Sequence, residues 1–131
     1  MAQANDELLV PINIGIIGYG FVGQAVANGF QAASNGKDTI LWYDKYKDGS
    51  SLKEVIDKSE FIFVCLPTPM KQDESGIDLS IFEEMIPQIT KYTDGTDKII
   101  VIKSTVTPGT TVKFEGLFPK SKFCFSPEFL T

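Results

Sequence analysis

The sequence of 131 residues predicts a doubly wound α/β domain, in which helices cover both faces of a parallel β-sheet. Two observations lead to this prediction. Short apolar segments alternate with helical patterns along the chain, and each apolar segment is continuous rather than interrupted at every second position. Continuous apolar strands are typical of a parallel sheet that is buried on both faces.

Turn and capping residues place the boundaries of the individual elements. Asn35 and Gly36 suit a helix C-cap, Asp78 suits a helix N-cap, and Pro67 ends an apolar segment. The predicted elements are strand 12–17, helix 21–33, strand 39–43, helix 51–58, strand 61–66, helix 79–92, strand 98–104, a short helix that Pro108 opens, and strand 122–125.

Right-handed crossovers favour the strand order 3-2-1-4-5 for about five strands. This order places the third and fifth strands at opposite edges, so Cys65 and Cys124 are expected to lie too far apart for a disulfide. We expect both cysteines to be reduced and buried, which favours a cytoplasmic location.

Composition excludes several kinds of site. The formal net charge of −5 argues against a nucleic-acid-binding surface. The chain has no histidine and every basic residue is a lysine, which excludes a histidine base and an arginine clamp within the chain. The cysteines lack metal-ligand spacing, so we expect no metal site. No segment has the apolar length that crosses a membrane, and the N-terminus resembles neither a signal peptide nor an anchor.

A glycine motif follows the first predicted strand. Gly18, Gly20 and Gly23 are spaced G-x-G-x-x-G, which alone is a weak signal because glycine triplets occur in ordinary turns. Here an apolar strand ends at Ile17 and a helix begins at once. Asp44 closes the second strand 21 residues after Gly23, near the spacing of about 20 residues in dinucleotide-binding domains. The alternative is a glycine turn beside a surface aspartate.

Each residue of this motif has a separate physical role in a dinucleotide site. Gly18 allows a tight turn, Gly20 lets the main chain approach a pyrophosphate, and Gly23 lets the helix pack closely on the sheet. The helix N-terminus favours the phosphate charge. Asp44 would accept hydrogen bonds from the adenosine ribose and repel a 2′-phosphate, which predicts NAD rather than NADP. Lys45 and Lys47 reduce that preference slightly, because they could lie near a phosphate.

The motif therefore predicts a Rossmann-like dinucleotide-binding domain at residues 12–131, after a flexible leader at residues 1–11. Within the glycine loop, Tyr19 and Phe21 are expected to pack against the protein, with one ring at the edge of the cofactor. The cofactor-binding candidates in the loop are Gly18, Tyr19, Gly20, Phe21, Val22 and Gly23.

Four segments resemble the UDP-glucose/GDP-mannose dehydrogenase family. They occur in the order of the family and span nearly the whole chain after residue 11: IGIIGYGFVGQAVANGF, FIFVCLPTP, VIKSTVTPGTT and FSPEFL. The last two are the most specific, because the glycine motif alone would fit many dehydrogenases. The segment GIDLSIFEEMI is similar to a loop-to-helix segment of the same family.

The resemblance implies roles for residues beyond the glycine loop. The adenosine and ribose side of NAD would be lined by Leu66, Pro67 and Thr68. Ser104 and Thr105 would lie under the nicotinamide, with Thr105 directed toward the reacting carbon and a water. Glu128 would act in an acid–base relay or in water handling. The structural alternatives are a helix cap for Thr105 and a solvated carboxylate for Glu128.

Members of this family oxidise the C6 alcohol of a nucleotide sugar to a carboxylate in two NAD-dependent steps. The chain lacks the nucleophilic cysteine and the sugar-nucleotide domain of the family, so we expect NAD binding with negligible sugar oxidation by the chain alone. A nucleotide sugar would bind only with a further domain or a second chain. An excised domain and a naturally short gene product both explain the length. Exposed apolar surface near residues 122–130 would favour a homo-oligomer.

Two other functions compete with this interpretation. The chain could be a stand-alone NAD-binding module without catalysis, which senses or sequesters the cofactor. It could also be a relative of the β-hydroxyacid dehydrogenases, whose glycine motif and third strand would look alike. The segment SPEF does not fit the glycine- and serine-rich catalytic segment of those enzymes, so this alternative ranks last.

Overall fold

The structure, a computed structural model, describes residues 11–106 and 109–126, which form a five-stranded parallel sheet and four helices. The elements are β1 (Asn13–Ile17), α1 (Phe21–Ala33), β2 (Thr39–Tyr43), α2 (Leu52–Asp57), β3 (Phe61–Val64), α3 (Ser80–Thr93), β4 (Ile99–Ile102), α4 (Thr110–Leu117) and β5 (Lys122–Phe125). The doubly wound α/β class is confirmed. Among the described residues, no helix has the length and apolar character needed to cross a bilayer.

The strands lie in the order β2-β1-β3-β4-β5, which differs from the predicted order 3-2-1-4-5. β3 pairs with β1 on the side opposite β2, in the register Ile14↔Phe61 to Ile17↔Val64. β3 has no strongly exposed residue, whereas β2 begins with the exposed Thr39 and lies at the edge. The central position therefore buries β3, the more apolar of the two strands. The predicted order was wrong because it placed the consecutive strands two and three side by side.

Right-handed crossovers determine which face each helix covers. The steps from β1 to β2 and from β2 to β3 run in opposite directions across the sheet, so α1 and α2 lie on opposite faces. The steps from β3 to β4 and from β4 to β5 run in the same direction as the step from β2 to β3. The helices α3 and α4 therefore lie on the same face of the sheet as α2. The strand order reverses between β1 and β3, which makes this the topological switch point of the sheet.

Two apolar cores result from this arrangement. The larger lies between the sheet and the helices α2, α3 and α4, where Ile17, Val64 and Phe82 have no exposed surface. The smaller lies under α1, where Ile16 and Ala27 are buried. Neighbouring residues of one strand contribute to different cores because successive side chains point to opposite faces.

No disulfide joins Cys65 and Cys124. Cys65 is half-buried, but Cys124 is exposed, so the expectation that both are buried is wrong for Cys124. Cys124 lies on the edge strand β5, in register with Val101. The helix α1 packs over β1, β2 and β3, and not over β5. Only β4 separates β3 from β5, so these strands do not form opposite edges as predicted.

Candidate functional site

A cavity of about 830 Å³ opens at the carboxyl ends of β1, β2, β3 and β4. It includes the topological switch point between β1 and β3, where doubly wound folds bind their ligands. Residues from five separate segments of the chain meet there. The predicted site residues that line the cavity are Gly18, Gly20, Phe21, Val22, Asp44, Lys45, Leu66, Pro67, Thr68, Ser104 and Thr105.

Two predicted site residues, Tyr19 and Gly23, are not part of the cavity lining, and a third is outside the described residues. The ring of Tyr19 stacks on Trp42, with 4.3 Å between the ring centroids and an angle of 9° between the planes. Gly23 is buried inside α1. Glu128 lies outside the described residues, as does Pro108, which was expected to open the helix that begins at Thr110.

Gly18 and Gly23 are glycines because the fold requires it. Gly18 has a φ of +93°, and a Cβ there would lie 2.7 Å from the carbonyl oxygen of Cys65. A Cβ at Gly23 would overlap the carbonyl oxygen of Gly18. The glycine loop is therefore in direct main-chain contact both with the first turn of α1 and with the segment that leaves β3.

Gly20 differs from both, because a Cβ at this position would meet no atom within 4 Å. The residue lines the cavity and precedes α1, and no side chain caps this helix. The first N–H groups of α1 are thus available to an anion, and the helix dipole adds to the attraction. The absence of a side chain at Gly20 keeps the space in front of the helix open.

Asp44 connects the end of β2 to the glycine loop. Its Oδ2 accepts a hydrogen bond from the N–H of Tyr19 at 2.8 Å, and its Oδ1 accepts one from the N–H of Tyr46 at 2.9 Å. The ammonium group of Lys47 donates to the carbonyl oxygen of Tyr19 at 2.7 Å. Each carboxylate oxygen retains a lone pair that a hydroxyl group could use.

Ser104 and Thr105 face different surroundings. Ser104 is 6% exposed, and its hydroxyl donates to the carbonyl oxygen of Leu66 at 2.8 Å. Thr105 is exposed at the cavity. Lys103 also lines the cavity and donates to the hydroxyl of Ser126 at 3.4 Å.

The sequence analysis missed one whole wall of the cavity. This wall is one face of α3, formed by residues at the spacing i, i+3, i+4 and i+7: Ile81, Glu84, Met85 and Gln88. The same spacing is usual for a helix that packs on a core, so the pattern alone does not indicate a ligand site. Only the position of α3 beside the switch point makes these residues part of the cavity.

Asp78 fixes the start of this wall. Its Oδ1 accepts a hydrogen bond from the N–H of Ser80 at 2.9 Å, at the first residue of α3. Hydrogen bonds from Ser80 stabilise the charged carboxylate and lower the pKa of Asp78 below its usual value. The predicted capping role of Asp78 is thus present, one residue before the N-cap at Leu79.

Comparisons with known proteins agree with this geometry. A scan against protein families matches residues 39–131 to the UDP-glucose/GDP-mannose dehydrogenase family, NAD binding domain. This match favours that family over the β-hydroxyacid dehydrogenases. It begins after the glycine loop, whose assignment rests on its geometry. A search of curated protein sequences finds no match.

Solved structures share the fold at low identity. GDP-mannose dehydrogenase from Pseudomonas aeruginosa superposes with a TM-score of 0.64 at 21% identity, over 90% of this chain and 36% of that chain. NDP-N-acetyl-D-galactosaminuronic acid dehydrogenase from Methanosarcina mazei Go1 gives 0.62 at 16% identity, over 98% and 37%. NAD⁺-bound 3-phosphoglycerate dehydrogenase from Entamoeba histolytica gives 0.54 at 15%, over 94% and 39%.

The chain thus spans little more than a third of the length of these enzymes. Their similarity extends across the sheet and helices that form the cavity. The family match covers more than half of the 131 residues. The chain therefore belongs to the UDP-glucose/GDP-mannose dehydrogenase family, and it carries the NAD-binding domain of that family.

Proposed function

We propose that the cavity holds NAD as the hydride acceptor for oxidation of a nucleotide sugar at C6, and that this chain does not complete the oxidation alone. The observation that carries the cofactor assignment is the contrast among the three motif glycines. Gly18 and Gly23 are required by main-chain contacts, whereas Gly20 has open space around it. The fold does not need a glycine at position 20, but a pyrophosphate against the start of α1 does.

The layout of the cavity supports one orientation of the dinucleotide. Asp44 at the end of β2 would accept the adenosine ribose hydroxyls, and the adenine would lie against α3. The nicotinamide would lie near Thr105 at the end of β4. These ends are three strand spacings of about 4.8 Å apart, or roughly 14 Å, which suits an extended dinucleotide that crosses the switch point.

The carboxylate of Asp44 also supports a preference for NAD over NADP. A 2′-phosphate in this position would place two negative charges side by side, and this repulsion disfavours NADP. Lys45 lines the same part of the cavity and would reduce the repulsion in part. We therefore expect tighter binding of NAD than of NADP, by a margin that Lys45 reduces.

Thr105 is the described residue best placed to contact the reacting atoms. Its side chain is exposed at the cavity, and a threonine hydroxyl both donates and accepts hydrogen bonds. It would orient a water or the substrate hydroxyl beside the nicotinamide. Bound NAD would accept the hydride from the alcohol carbon. Glu128 stays a candidate for the proton relay.

Two observations support the absence of sugar oxidation by the chain alone. The chain covers 36% and 37% of the two nucleotide-sugar dehydrogenases, so most of an enzyme of that size has no counterpart here. The chain also has no histidine that could activate a thiol. A nucleotide sugar would require residues from a further domain or a second chain. Two cysteines that are not joined by a disulfide favour a reducing, cytoplasmic location.

Calorimetric titration of the purified chain tests this proposal. We expect binding of NAD, weaker binding of NADP, and no heat of binding with UDP-glucose or GDP-mannose. Absorbance of NADH should not appear when NAD and either sugar nucleotide are mixed with the chain. No binding of NAD or NADH at millimolar concentration would contradict the cofactor role, and NADH formation would contradict the lack of turnover.

A further inference from the structure

We infer that Ser104 is a positioning residue, which shapes the cofactor site through the main chain and does not contact the cofactor through its hydroxyl. The inference rests on the proposed NAD site. In this inference Ser104 holds Leu66 and the residues that follow Leu66 in place. The neighbouring residue Thr105 faces the ligand.

The hydrogen bonds at the end of β4 carry this inference. Pairing of β3 with β4 ends at Val64↔Ile102, beyond which the two segments separate. The N–H groups of Lys103 and Ser104 both donate to the carbonyl oxygen of Val64, at 2.9 and 3.2 Å. The hydroxyl of Ser104 then donates to the carbonyl oxygen of Leu66 at 2.8 Å. The side chain of Ser104 thus continues the connection between the two segments beyond the last pair of the β3–β4 ladder.

The held segment is also the one against which the glycine loop packs. A Cβ at Gly18 would lie 2.7 Å from the carbonyl oxygen of Cys65 and 3.2 Å from the nitrogen of Leu66. A small movement of this peptide would therefore displace Gly18. Pro67 and Thr68, which line the cavity, follow directly. The Ser104 hydroxyl thus connects the end of β4 to the glycine loop through Leu66, whose carbonyl oxygen accepts from Ser104 and whose nitrogen faces Gly18.

The burial of Ser104 argues against a direct contact with NAD. The residue is only 6% exposed, and the single proton of its hydroxyl is directed at two carbonyl oxygens, that of Leu66 at 2.8 Å and that of Val64 at 3.3 Å. Removal of the hydroxyl would leave a buried carbonyl oxygen without this donor, and the segment would shift to regain a partner. The damage should therefore appear at Gly18 and Leu66 as well as at residue 104.

The matched control is Ser59, which is 2% exposed and donates its hydroxyl to the carbonyl oxygen of Val55. Ser59 precedes β3 and so lies at the opposite end of the sheet from the cavity. Ser104→Ala and Ser59→Ala each remove a buried hydroxyl that serves a main-chain carbonyl. Both variants should lower the melting temperature, but only one should alter the cofactor site.

The experiment measures NAD affinity by calorimetry and the amide resonance of Gly18 by NMR, well below the melting temperature of each variant. Ser104→Ala should weaken NAD binding about five- to tenfold and shift the Gly18 resonance. Ser59→Ala should do neither. Ser104→Thr keeps the hydroxyl and should retain most of the affinity, whereas Ser104→Cys, a weaker donor, should lie between serine and alanine.

The outcomes separate this inference from the proposed function. Wild-type protein that binds no NAD would end the proposed function, and the inference with it. Wild-type binding that Ser104→Ala leaves unchanged, with an unshifted Gly18 resonance, would overturn the positioning role alone. If Ser104→Ala does not fold, NAD affinity is compared between Ser104→Cys and the wild type. Wild-type affinity in Ser104→Cys would then overturn the positioning role of Ser104.

Discussion

The N–H of Tyr19 donates a hydrogen bond of 2.8 Å to Oδ2 of Asp44. This bond joins the middle of the glycine loop to the end of β2, so the two parts of the dinucleotide motif are connected before any ligand binds. The other carboxylate oxygen accepts the N–H of Tyr46. Asp44 therefore holds the loop in shape and also presents charge to the cavity.

Asp44→Ala should reduce both stability and NAD affinity. The substitution removes the acceptor for two main-chain N–H groups and, in the proposed site, for the ribose hydroxyls. Hydrogen bonds to charged groups contribute about 1.5–3 kcal/mol, so we expect roughly a ten- to hundredfold loss of NAD affinity by calorimetry. Asp44→Asn keeps one acceptor oxygen and should lose less. The ratio of NADP to NAD affinity should rise in both variants, and an unchanged ratio would contradict the charge argument.

Gly20→Val should abolish NAD binding while the fold is retained. A Cβ at Gly20 would have no atom within 4 Å apart from its chain neighbours, and the valine side chain would occupy the space in front of α1. Calorimetry and thermal melts should show loss of binding with little change in melting temperature. Gly18→Ala is the contrasting variant, since a φ of +93° and a close carbonyl should destabilise the fold. Wild-type affinity in Gly20→Val would remove the glycine loop from the mechanism.

Glu84→Gln should relax the choice of base in the dinucleotide. Glu84 lines the cavity on α3, where the adenine is proposed to lie. A carboxylate only accepts hydrogen bonds, which suits the amino group of adenine and opposes the oxygen of hypoxanthine, whereas glutamine can also donate. Wild-type protein should favour NAD over nicotinamide hypoxanthine dinucleotide about tenfold by calorimetry, and the variant should bind both about equally.

The control for this change is Glu83→Gln, one residue earlier on α3. Glu83 is outside the cavity lining and pairs with Lys113 at 3.8 Å. Its loss should leave the preference between the two dinucleotides unchanged. Equal effects of the two substitutions would mean that net charge, and not contact with the base, sets the preference.

Asp78 should make stability depend on pH in acid. Its pKa in the folded protein lies below the ordinary value of 3.8, because Ser80 hydrogen-bonds the carboxylate. The stabilisation is therefore present above the unfolded-state pKa and is lost as pH falls through the folded-state pKa. Asp78→Asn keeps an acceptor for the Ser80 N–H but no charge. Thermal melts should show the wild type more stable at neutral pH, with the difference vanishing in strong acid.

Local pattern alone determined much of this protein. Apolar segments and turn residues gave the alternation of strands and helices, and the bounds of α1, β2 and β5 agree with the prediction. The contact of Gly23 with the carbonyl oxygen of Gly18 is also local, because the turn and the helix start lie within a few residues of each other, whereas the contact of Gly18 with Cys65 is tertiary. The spacing from Gly23 to Asp44 was sufficient to place Asp44 at the end of β2.

Tertiary structure decided the strand order and everything that depends on it. Hydrogen bonds between parallel strands join residues far apart in sequence, and an apolar segment pairs equally well with several partners. Periodicity shows which side of an element is apolar, but not which element covers it. The position of β3 between β1 and β4 therefore set the α3 wall with Glu84 and the hydrogen bond from Ser104 to the carbonyl oxygen of Leu66.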